Sequence, residues 1–131
     1  MVQNLTDAAM AARANSYAPY SGYHVGAALR ASSGRIYTGC NVENASFSLT
    51  ICAERNAVFQ AIAAGETNFR SLAIVGGRDS DEAQSVPCIP CGACLQVLAE
   101  FCGNDFPILL ADGVHMLSEF LPKRFGLEKE D

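Results

Sequence analysis

Residues 71–102 read SLAIVGGRDSDEAQSVPCIPCGACLQVLAEFC, and this stretch decides the fold class. Its first part, 71–77, is a short apolar run that ends in two glycines, which is typical of a buried strand. The polar, proline-bounded segment 78–90 predicts a loop, and 91–102 predicts a helix. A strand, a loop and a helix in succession indicate a layered α/β domain.

The segments on either side of this stretch continue the alternation of helices and strands. Alanine-rich runs and helical spacing of apolar residues mark the helices, and short apolar runs beside turn residues mark the strands. The further predicted elements are helices over 5–17, 52–64 and 116–121 and strands over 23–30, 35–42 and 106–112. Their order predicts helices packed on a mixed sheet.

The length and composition are those of one folded domain, which we expect to span 1–131. Half of the residues are hydrophobic and 18% are charged, so a core can be buried without cross-links. No run approaches the roughly 18 apolar residues of a membrane span. The N-terminus shows no basic leader followed by an apolar block, so we expect a cytoplasmic protein.

The charge pattern speaks against a nucleic-acid ligand. The net charge is −5, the only lysines are Lys123 and Lys129, and no basic residue lies between Arg78 and Lys123. Binding to a polynucleotide needs clustered basic residues that displace counterions from the phosphates. A small uncharged molecule is therefore the expected ligand.

Six cysteines in a core-rich chain indicate metal or redox chemistry more than a disulfide scaffold. Three of them lie in PCIPCGAC at 87–94, so the pairs 88/91 and 91/94 are both possible metal-binding pairs. Cys52 and Cys91 lie where helices are predicted to begin, and a helix N-terminus favours thiolate over thiol. A Cys-x-x-Cys pair together with Cys52 would leave one tetrahedral position of zinc open, which is the catalytic pattern.

Glu54 follows Cys52 by two residues and is the candidate proton carrier. Water bound to zinc has its pKa lowered toward about 7, but its proton still needs an acceptor. The combination of His or Cys, any residue and Glu, followed later by Pro-Cys-x-x-Cys, is the pattern of zinc-dependent nucleobase deaminases.

The motifs CNVENAS (40–46), CAER (52–55) and PCGAC (90–94) resemble those of the small tetrameric cytidine deaminases. The resemblance extends from about residue 17 to 126. It implies a three-layer α/β/α cytidine deaminase-like fold with a mixed five-stranded sheet and helices on both faces. It also implies zinc as cofactor and a homotetramer whose active sites are shared between subunits.

The resemblance assigns the metal ligands and the acid/base residue. The zinc ligands are Cys52, Cys91 and Cys94, and Glu54 is the catalytic acid/base. The metal-binding pair is then 91/94. Its position closer to the helix start agrees with this choice, because Ile89 and Pro90 hold Cys88 back in the loop. Cys88 is expected to pack near the site as a bystander.

The resemblance also assigns five substrate-binding positions. Asn41 and Glu43 match residues that hold the ribose, and Ala45 matches a residue whose backbone contacts the base. Tyr23 matches a pocket residue that is usually Phe in the family. Phe125 matches an aromatic residue that approaches the base from a neighbouring subunit.

Arg55 matches an arginine that hydrogen-bonds the zinc-bound sulfurs. Three thiolates on a divalent ion leave a net charge of −1, and an arginine beside two helix N-termini partly offsets it. The chain departs from the family at Leu95, where Arg is common, and at Asn56, where Thr is common. These departures bear on how the thiolate charge is balanced and remove neither a ligand nor the acid/base residue.

The expected function is zinc-dependent deamination of cytidine and 2′-deoxycytidine in pyrimidine salvage. One alternative is a deaminase of another aminated nucleoside such as a nucleoside antibiotic. Another is a non-catalytic structural or redox zinc module, which would need a fourth ligand such as Cys88. Cys40 and Cys102 are expected to be buried structural cysteines, and His24 and His115 have no partner at ligand spacing.

Overall fold

In residues 2–130, the part of the chain that the computed structural model describes, five strands form one mixed sheet in the order β2-β1-β3-β4-β5. Positions 1 and 131 of the expected domain lie outside this range, and the single-domain assignment stays a prediction. The elements are α1 (Val2–Arg13), β1 (His24–Ala31), β2 (Ile36–Cys40), α2 (Ala53–Ala63), β3 (Phe69–Gly77), α3 (Ser80–Ser85), α4 (Gly92–Phe101), β4 (Pro107–Leu110), β5 (Gly113–Met116) and α5 (Leu117–Phe120), with a 3₁₀ turn at Phe47–Leu49.

The sheet separates two apolar clusters, which makes the fold three-layered. Successive side chains along each strand point to opposite faces of the sheet. On β1, Leu29 joins the larger cluster with α2 and α4, whereas Ala28 joins the smaller cluster with α1 and α3. On β3, Ile74 and Val75 divide in the same way. The prediction of a mixed five-stranded sheet with helices on both faces is confirmed.

Two glycines let helices lie very close to the sheet. A Cβ at Gly26 would lie 2.0 Å from the Ala9 carbonyl oxygen, so α1 can pack there only against glycine. A Cβ at Gly39 would lie 2.5 Å from the Ala53 oxygen and 2.5 Å from the Ala57 nitrogen. Gly39 therefore sets the position of the first turn of α2.

The structure departs from the sequence prediction at the end of the first helix, in the segment 78–90 and in the segment 106–116. The first helix ends at Arg13 and not at residue 17. The predicted loop 78–90 contains α3, which begins after Asp79, whose side chain accepts a hydrogen bond from the Glu82 N–H at 2.8 Å. This spacing of Asp and Glu is an N-terminal capping signal that was overlooked.

The predicted strand 106–112 is the first half of a hairpin. β4 ends at Leu110, and β5 starts at Gly113, which has a φ of +130° that favours glycine. The pairing of Leu110 with Gly113 leaves a two-residue turn. None of the helices in residues 2–130 is long and apolar enough to cross a membrane.

Candidate metal centre and substrate cavity

The N-termini of α2 and α4 bring three cysteine sulfurs together. Cys52 and Cys91 are the residues just before the two helices, and both have extended backbone. Neither side chain hydrogen-bonds the end of its own helix, which leaves the sulfur atoms directed at a common point. The Sγ atoms of Cys52, Cys91 and Cys94 all lie within 4.8 Å of one another.

The spacing of these sulfurs fits one zinc ion. A tetrahedral ion with zinc–sulfur bonds of about 2.3 Å places its sulfurs about 3.8 Å apart. The Sγ atoms of Cys52 and Cys91 are 3.7 Å apart, and those of Cys91 and Cys94 are 3.5 Å apart. Three thiols leave a fourth position for a ligand from outside the protein.

Cys88 lies near this cluster but outside it. Within residues 2–130, the group of possible metal ligands holds Cys52, Cys91 and Cys94 without Cys88. The Cys88 side chain packs on Gly76, where a Cβ would lie 2.7 Å from its sulfur. Burial raises the pKa of the Cys88 thiol to about 11, and the Tyr23 hydroxyl contacts it. This position argues against a closed four-thiol site.

The charge balance of the cluster depends on Arg55. Its Nη2 lies 3.4 Å from the Cys52 sulfur and 3.4 Å from the Thr50 carbonyl oxygen. Hydrogen bonds from Cys94 and then from Arg55 lower the pKa of Cys52 to about 5, against the effect of burial. The same contact with Cys52 raises the pKa of Cys94. Zinc uptake must therefore displace the proton that Cys94 holds.

Glu54 lies in the first turn of α2, beside the thiols. Its side chain is buried, with 4% of the residue surface exposed. Burial raises the pKa of its carboxyl to about 7, and the charge of Cys52 adds to the rise. A bound divalent cation acts in the opposite direction. A carboxyl beside a metal ligand, inside a cavity, has the placement that a proton carrier needs.

A cavity of about 230 Å³ joins Glu54 to the turn before β1 and to the polar residues of the segment after β2. This volume is below the roughly 300–1,000 Å³ that drug-sized ligands occupy, so the cavity suits a small ligand. It is lined by Ser21, Tyr23, Val25, Asn41, Glu43, Phe47, Thr50, Cys52, Ala53, Glu54, Cys88, Ile89 and Cys91.

Asn41 is buried and holds the start of β1 in place. Its Oδ1 accepts a hydrogen bond from the Val25 N–H at 2.9 Å, and its Nδ2 donates to the Tyr23 carbonyl at 2.8 Å. An amide has two donors and two acceptor sites. One N–H and one lone pair of Asn41 thus stay available to a ligand.

Glu43 is buried and receives three hydrogen bonds from the turn before β1. Its Oε1 accepts from the N–H groups of Tyr20 at 3.0 Å and Ser21 at 3.2 Å, and its Oε2 accepts from the Ser21 hydroxyl at 2.5 Å. These hydrogen bonds, that of the Ser21 hydroxyl first, lower the pKa of the Glu43 carboxyl. Glu43 is therefore a carboxylate acceptor at neutral pH.

Comparison with known proteins identifies the family. Residues 1–110 match the family described as the cytidine and deoxycytidylate deaminase zinc-binding region. The chain belongs to this deaminase family. Together with the three-thiol cluster, this membership makes zinc the cofactor.

Individual deaminases of this family are similar over most of the chain. The cytidine deaminase of Sporosarcina psychrophila is 45% identical over 111 residues, covering 85% of this chain and 77% of the relative. That of Halalkalibacterium halodurans is 41% identical, covering 96% and 95%. The crystal structure of cytidine deaminase from Burkholderia pseudomallei is 42% identical, covers 95% and 99%, and has a TM-score of 0.84.

Two residues assigned by resemblance to the deaminase site lie outside the cavity of this chain. Ala45 is exposed in the loop after Glu43. Phe125 is 67% exposed, and its carbonyl accepts a hydrogen bond from the Gln96 side chain at 3.1 Å, away from the cavity. A role for Phe125 in the site of a neighbouring subunit stays a prediction.

The cavity lining includes residues that the sequence analysis does not assign to the site, among them Ser21, Phe47 and Thr50. Ser21 belongs to the turn before β1, and no spacing motif marks it. Phe47 and Thr50 follow the CNVENAS motif by a few residues and line the cavity through the short 3₁₀ turn. The signal in the sequence is the aromatic residue Phe47 directly after the CNVENAS motif, and the structure shows it to be 69% exposed.

Proposed function

We propose that this protein hydrolytically deaminates cytidine and 2′-deoxycytidine to uridine and 2′-deoxyuridine with release of ammonia, as a cytoplasmic enzyme of pyrimidine salvage. The observation that carries the proposal is one cavity with two chemically different ends. Cys52, Cys91 and Glu54 line one end, and Asn41 and Glu43 line the other. The arrangement suits a ligand with a reactive base and a hydroxyl-bearing sugar.

The sulfurs of Cys52, Cys91 and Cys94 would hold zinc, which would lower the pKa of a bound water toward neutrality. Glu54 accepts a proton from this water and delivers it to the ring nitrogen of the pyrimidine. After the oxygen has added to the amino-bearing ring carbon, Glu54 takes the remaining proton of the added hydroxyl group and carries it to the amine. The carbon–nitrogen bond then breaks and ammonia leaves, so that one water is consumed for each nucleoside.

The surroundings of Glu54 suit a group that both accepts and donates protons. Burial removes the carboxyl from bulk water and raises its pKa, whereas a bound divalent cation would lower it, so the two effects oppose each other at Glu54. Arg55 offsets part of the thiolate charge at Cys52. Leu95, which stands where the family often has Arg, is 6% exposed and packs in the larger apolar cluster, so it contributes no charge.

At the other end, Asn41 and Glu43 are proposed to bind the sugar hydroxyls. Both are buried, and both keep unused hydrogen-bonding capacity beside the cavity. Binding energy from the sugar can be used to orient the base against Glu54. Free cytosine should therefore be a poor substrate, and equal turnover of cytosine and cytidine would contradict the sugar-binding role.

We propose further that the protein is a homotetramer with active sites shared between subunits. Exposed apolar side chains support an interface beside the cavity: Phe47 is 69% exposed and Ile89 is 61% exposed. The C-terminal segment presents Phe125 at 67% exposure, which suits insertion into a neighbour. Analytical ultracentrifugation tests the assembly, and an active monomer would refute it.

The first experiment follows the ultraviolet absorbance of cytidine with zinc-loaded protein. The wild type should convert it, and Glu54→Gln should lose about 10²–10⁴-fold or more of kcat, since general acid–base catalysis contributes that much. Glu66→Gln is the matched control, because this carboxylate pairs with the Tyr37 hydroxyl outside the cavity. No conversion by wild type with one zinc per chain, or full activity of Glu54→Gln, would refute the proposal.

A further inference from the structure

The turn before β1 contains Ser21, whose hydroxyl group has one hydrogen-bond donor and one acceptor as partners. The Ser21 Oγ accepts a hydrogen bond from the Tyr23 N–H at 3.0 Å and donates to Glu43 Oε2 at 2.5 Å. An N–H group can only donate and a carboxylate can only accept, so the direction of both bonds is unambiguous. The single hydroxyl proton of Ser21 therefore points at Glu43.

Counting acceptor sites on Glu43 shows what is left for a ligand. Each carboxylate oxygen has two lone-pair sites. On Oε1, both are used by the N–H groups of Tyr20 and Ser21. On Oε2, one is used by the Ser21 hydroxyl, and one stays unused in a residue that lines the cavity. Because the carboxylate only accepts, the ligand must bring a hydrogen-bond donor to this site.

The shape of the turn brings Ser21 to this position. Gly22 has a φ of +70°, and its N–H donates to the Ala18 carbonyl at 3.0 Å, which closes the turn. The Ser21 backbone and side chain then contact different oxygens of one carboxylate. A carboxylate held at both oxygens cannot rotate freely, so its unused lone pair keeps one direction.

We propose that Ser21 is a positioning residue that orients the Glu43 carboxylate toward a ring hydroxyl of a nucleoside sugar. The choice of a sugar hydroxyl rests on the proposed function, which places the base at Glu54 and the thiols. Ser21 acts through Glu43 and through the Tyr23 backbone and does not take part in the chemical step. Its effect should therefore appear in substrate binding and depend on the sugar.

The chain offers a matched control for the substitution Ser21→Ala. Ser33, in the turn between β1 and β2, accepts a hydrogen bond from the Arg35 N–H at 3.3 Å, two residues further along, as Ser21 does from Tyr23. Its hydroxyl also contacts a carboxylate, that of Glu66. Ser33 does not line the cavity. Ser33→Ala thus removes the same local pattern without touching the site.

The experiment compares cytidine with 2′,3′-dideoxycytidine, which lacks both ring hydroxyls of the sugar. Ser21→Ala should raise KM for cytidine about tenfold, with little change of kcat, since an oriented hydrogen bond to a charge is weakened. For dideoxycytidine the change should be less than about twofold. Ser21→Thr, which keeps a hydroxyl, should restore most of the cytidine KM, and Ser33→Ala should change neither substrate.

Two kinetic outcomes would overturn the proposal. Equal losses with both nucleosides would mean that Ser21 only supports the turn through the Tyr23 N–H. No loss with cytidine would mean that the backbone N–H groups of Tyr20 and Ser21 orient Glu43 without the hydroxyl. Glu43→Gln should show the same dependence on the sugar as Ser21→Ala, and the double variant should lose less than the sum of the two effects.

Binding of the products separates this proposal from the proposed function. Calorimetry with uridine and 2′,3′-dideoxyuridine needs no turnover. Wild type should bind uridine more tightly, and Ser21→Ala should remove most of the difference, whether or not cytidine is deaminated. Wild type that binds the two nucleosides equally, or binds neither, would overturn the role of Ser21. Failure to convert cytidine, with this binding pattern intact, would overturn the proposed reaction alone.

Discussion

The metal end of the cavity is built from two helix N-termini, whereas the opposite end is a turn held by side chains from a later segment. At the metal end, Cys52 and Cys91 precede helices, and their sulfurs lie 3.7 Å apart. At the turn end, Asn41 and Glu43 hydrogen-bond backbone groups of residues 20–25. The metal end depends on helix packing, and the turn end depends on individual hydrogen bonds.

Because of this difference, substitutions at the two ends should change different properties of the protein. Gly39 lets α2 pack closely against β2, so the metal end is supported by the packed core. Replacing one polar side chain at this end should leave that packing largely intact. At the turn end, each hydrogen bond satisfies a backbone group that has few other partners. Substitutions should therefore affect metal and chemistry at one end, and stability together with substrate binding at the other.

The largest effect is expected from removing a ligand at the metal end. Cys94→Ser should reduce the zinc content to near zero and lower kcat on the order of 10⁴-fold or more, because water activation is lost. Metal analysis and cytidine turnover measure the two effects. Cys88→Ser is the matched control and should keep its zinc, since Cys88 lies outside the three-thiol cluster. Zinc loss in Cys88→Ser with retention in Cys94→Ser would reverse the ligand assignment.

A smaller, mixed effect is expected at the turn end. Asn41→Ala leaves the buried Val25 N–H without its partner and should cost about 1–3 kcal/mol of unfolding free energy. It should also raise KM, because the Tyr23 carbonyl loses its partner and the cavity wall shifts. Urea unfolding and steady-state kinetics measure the two changes.

Asn56→Ala is the control for this prediction. Its amide donates to the Cys40 carbonyl at 2.7 Å and does not line the cavity. It should lower the unfolding free energy without raising KM. An increase of KM in Asn56→Ala as large as that in Asn41→Ala would show that the two ends are not independent.

The smallest effect is expected at a site far from both ends. His115 Nε2 lies 2.8 Å from Asp112 Oδ1, and its Nδ1 lies 2.6 Å from Glu119 Oε2. These carboxylates, Asp112 first, raise the pKa of His115 above 6.5. Because its pKa is raised in the folded state, protonated His115 stabilises the fold fully below about pH 6.5. This stabilisation is lost as the pH rises through the folded-state pKa.

Thermal unfolding of wild type and His115→Gln over pH 5–9 tests this site. The wild type should have the higher Tm at the acidic end, by a few degrees at most because the pair is exposed, and the difference should shrink as the pH rises. The KM for cytidine should be equal in the two proteins at each pH. A KM difference would show that the β4–β5 hairpin and α5 influence the cavity.

Local patterns in the sequence indicate a metal site at the starts of two helices, but they leave the pairs 88/91 and 91/94 both open, and the family resemblance selects 91/94. Cys91 and Cys94 lie three residues apart at the start of α4, and Cys52 directly precedes α2, whose first turn contains Glu54. Such features involve neighbouring residues, so propensity and spacing report them directly. The helix α3 carries a capping signal as well, at Asp79, but its short, polar sequence lacks the apolar periodicity that predicts a helix. The hairpin of β4 and β5 was missed because its second strand is short and exposed.

The turn end was only partly visible in the sequence. Asn41 and Glu43 were found through the resemblance, whereas Ser21 had no motif to mark it. Its contact with Glu43 joins residues 22 positions apart, and no local rule reports such a pairing. The positions of Ala45 and Phe125 relative to a neighbouring subunit depend on assembly, which one chain does not contain.

Periodicity predicts the α/β class, and short spacings place Cys52, Glu54 and the two overlapping Cys-x-x-Cys pairs near helix starts, because these features involve residues close together in the chain. The position of Cys88 outside the thiol cluster depends on the fold, since Gly76 on β3 provides the space that its side chain fills. The fold also decides which oxygen of Glu43 stays available, because that depends on three hydrogen bonds from a distant turn. Long-range hydrogen bonds and close packing are products of the folded chain and leave no periodic trace in the sequence.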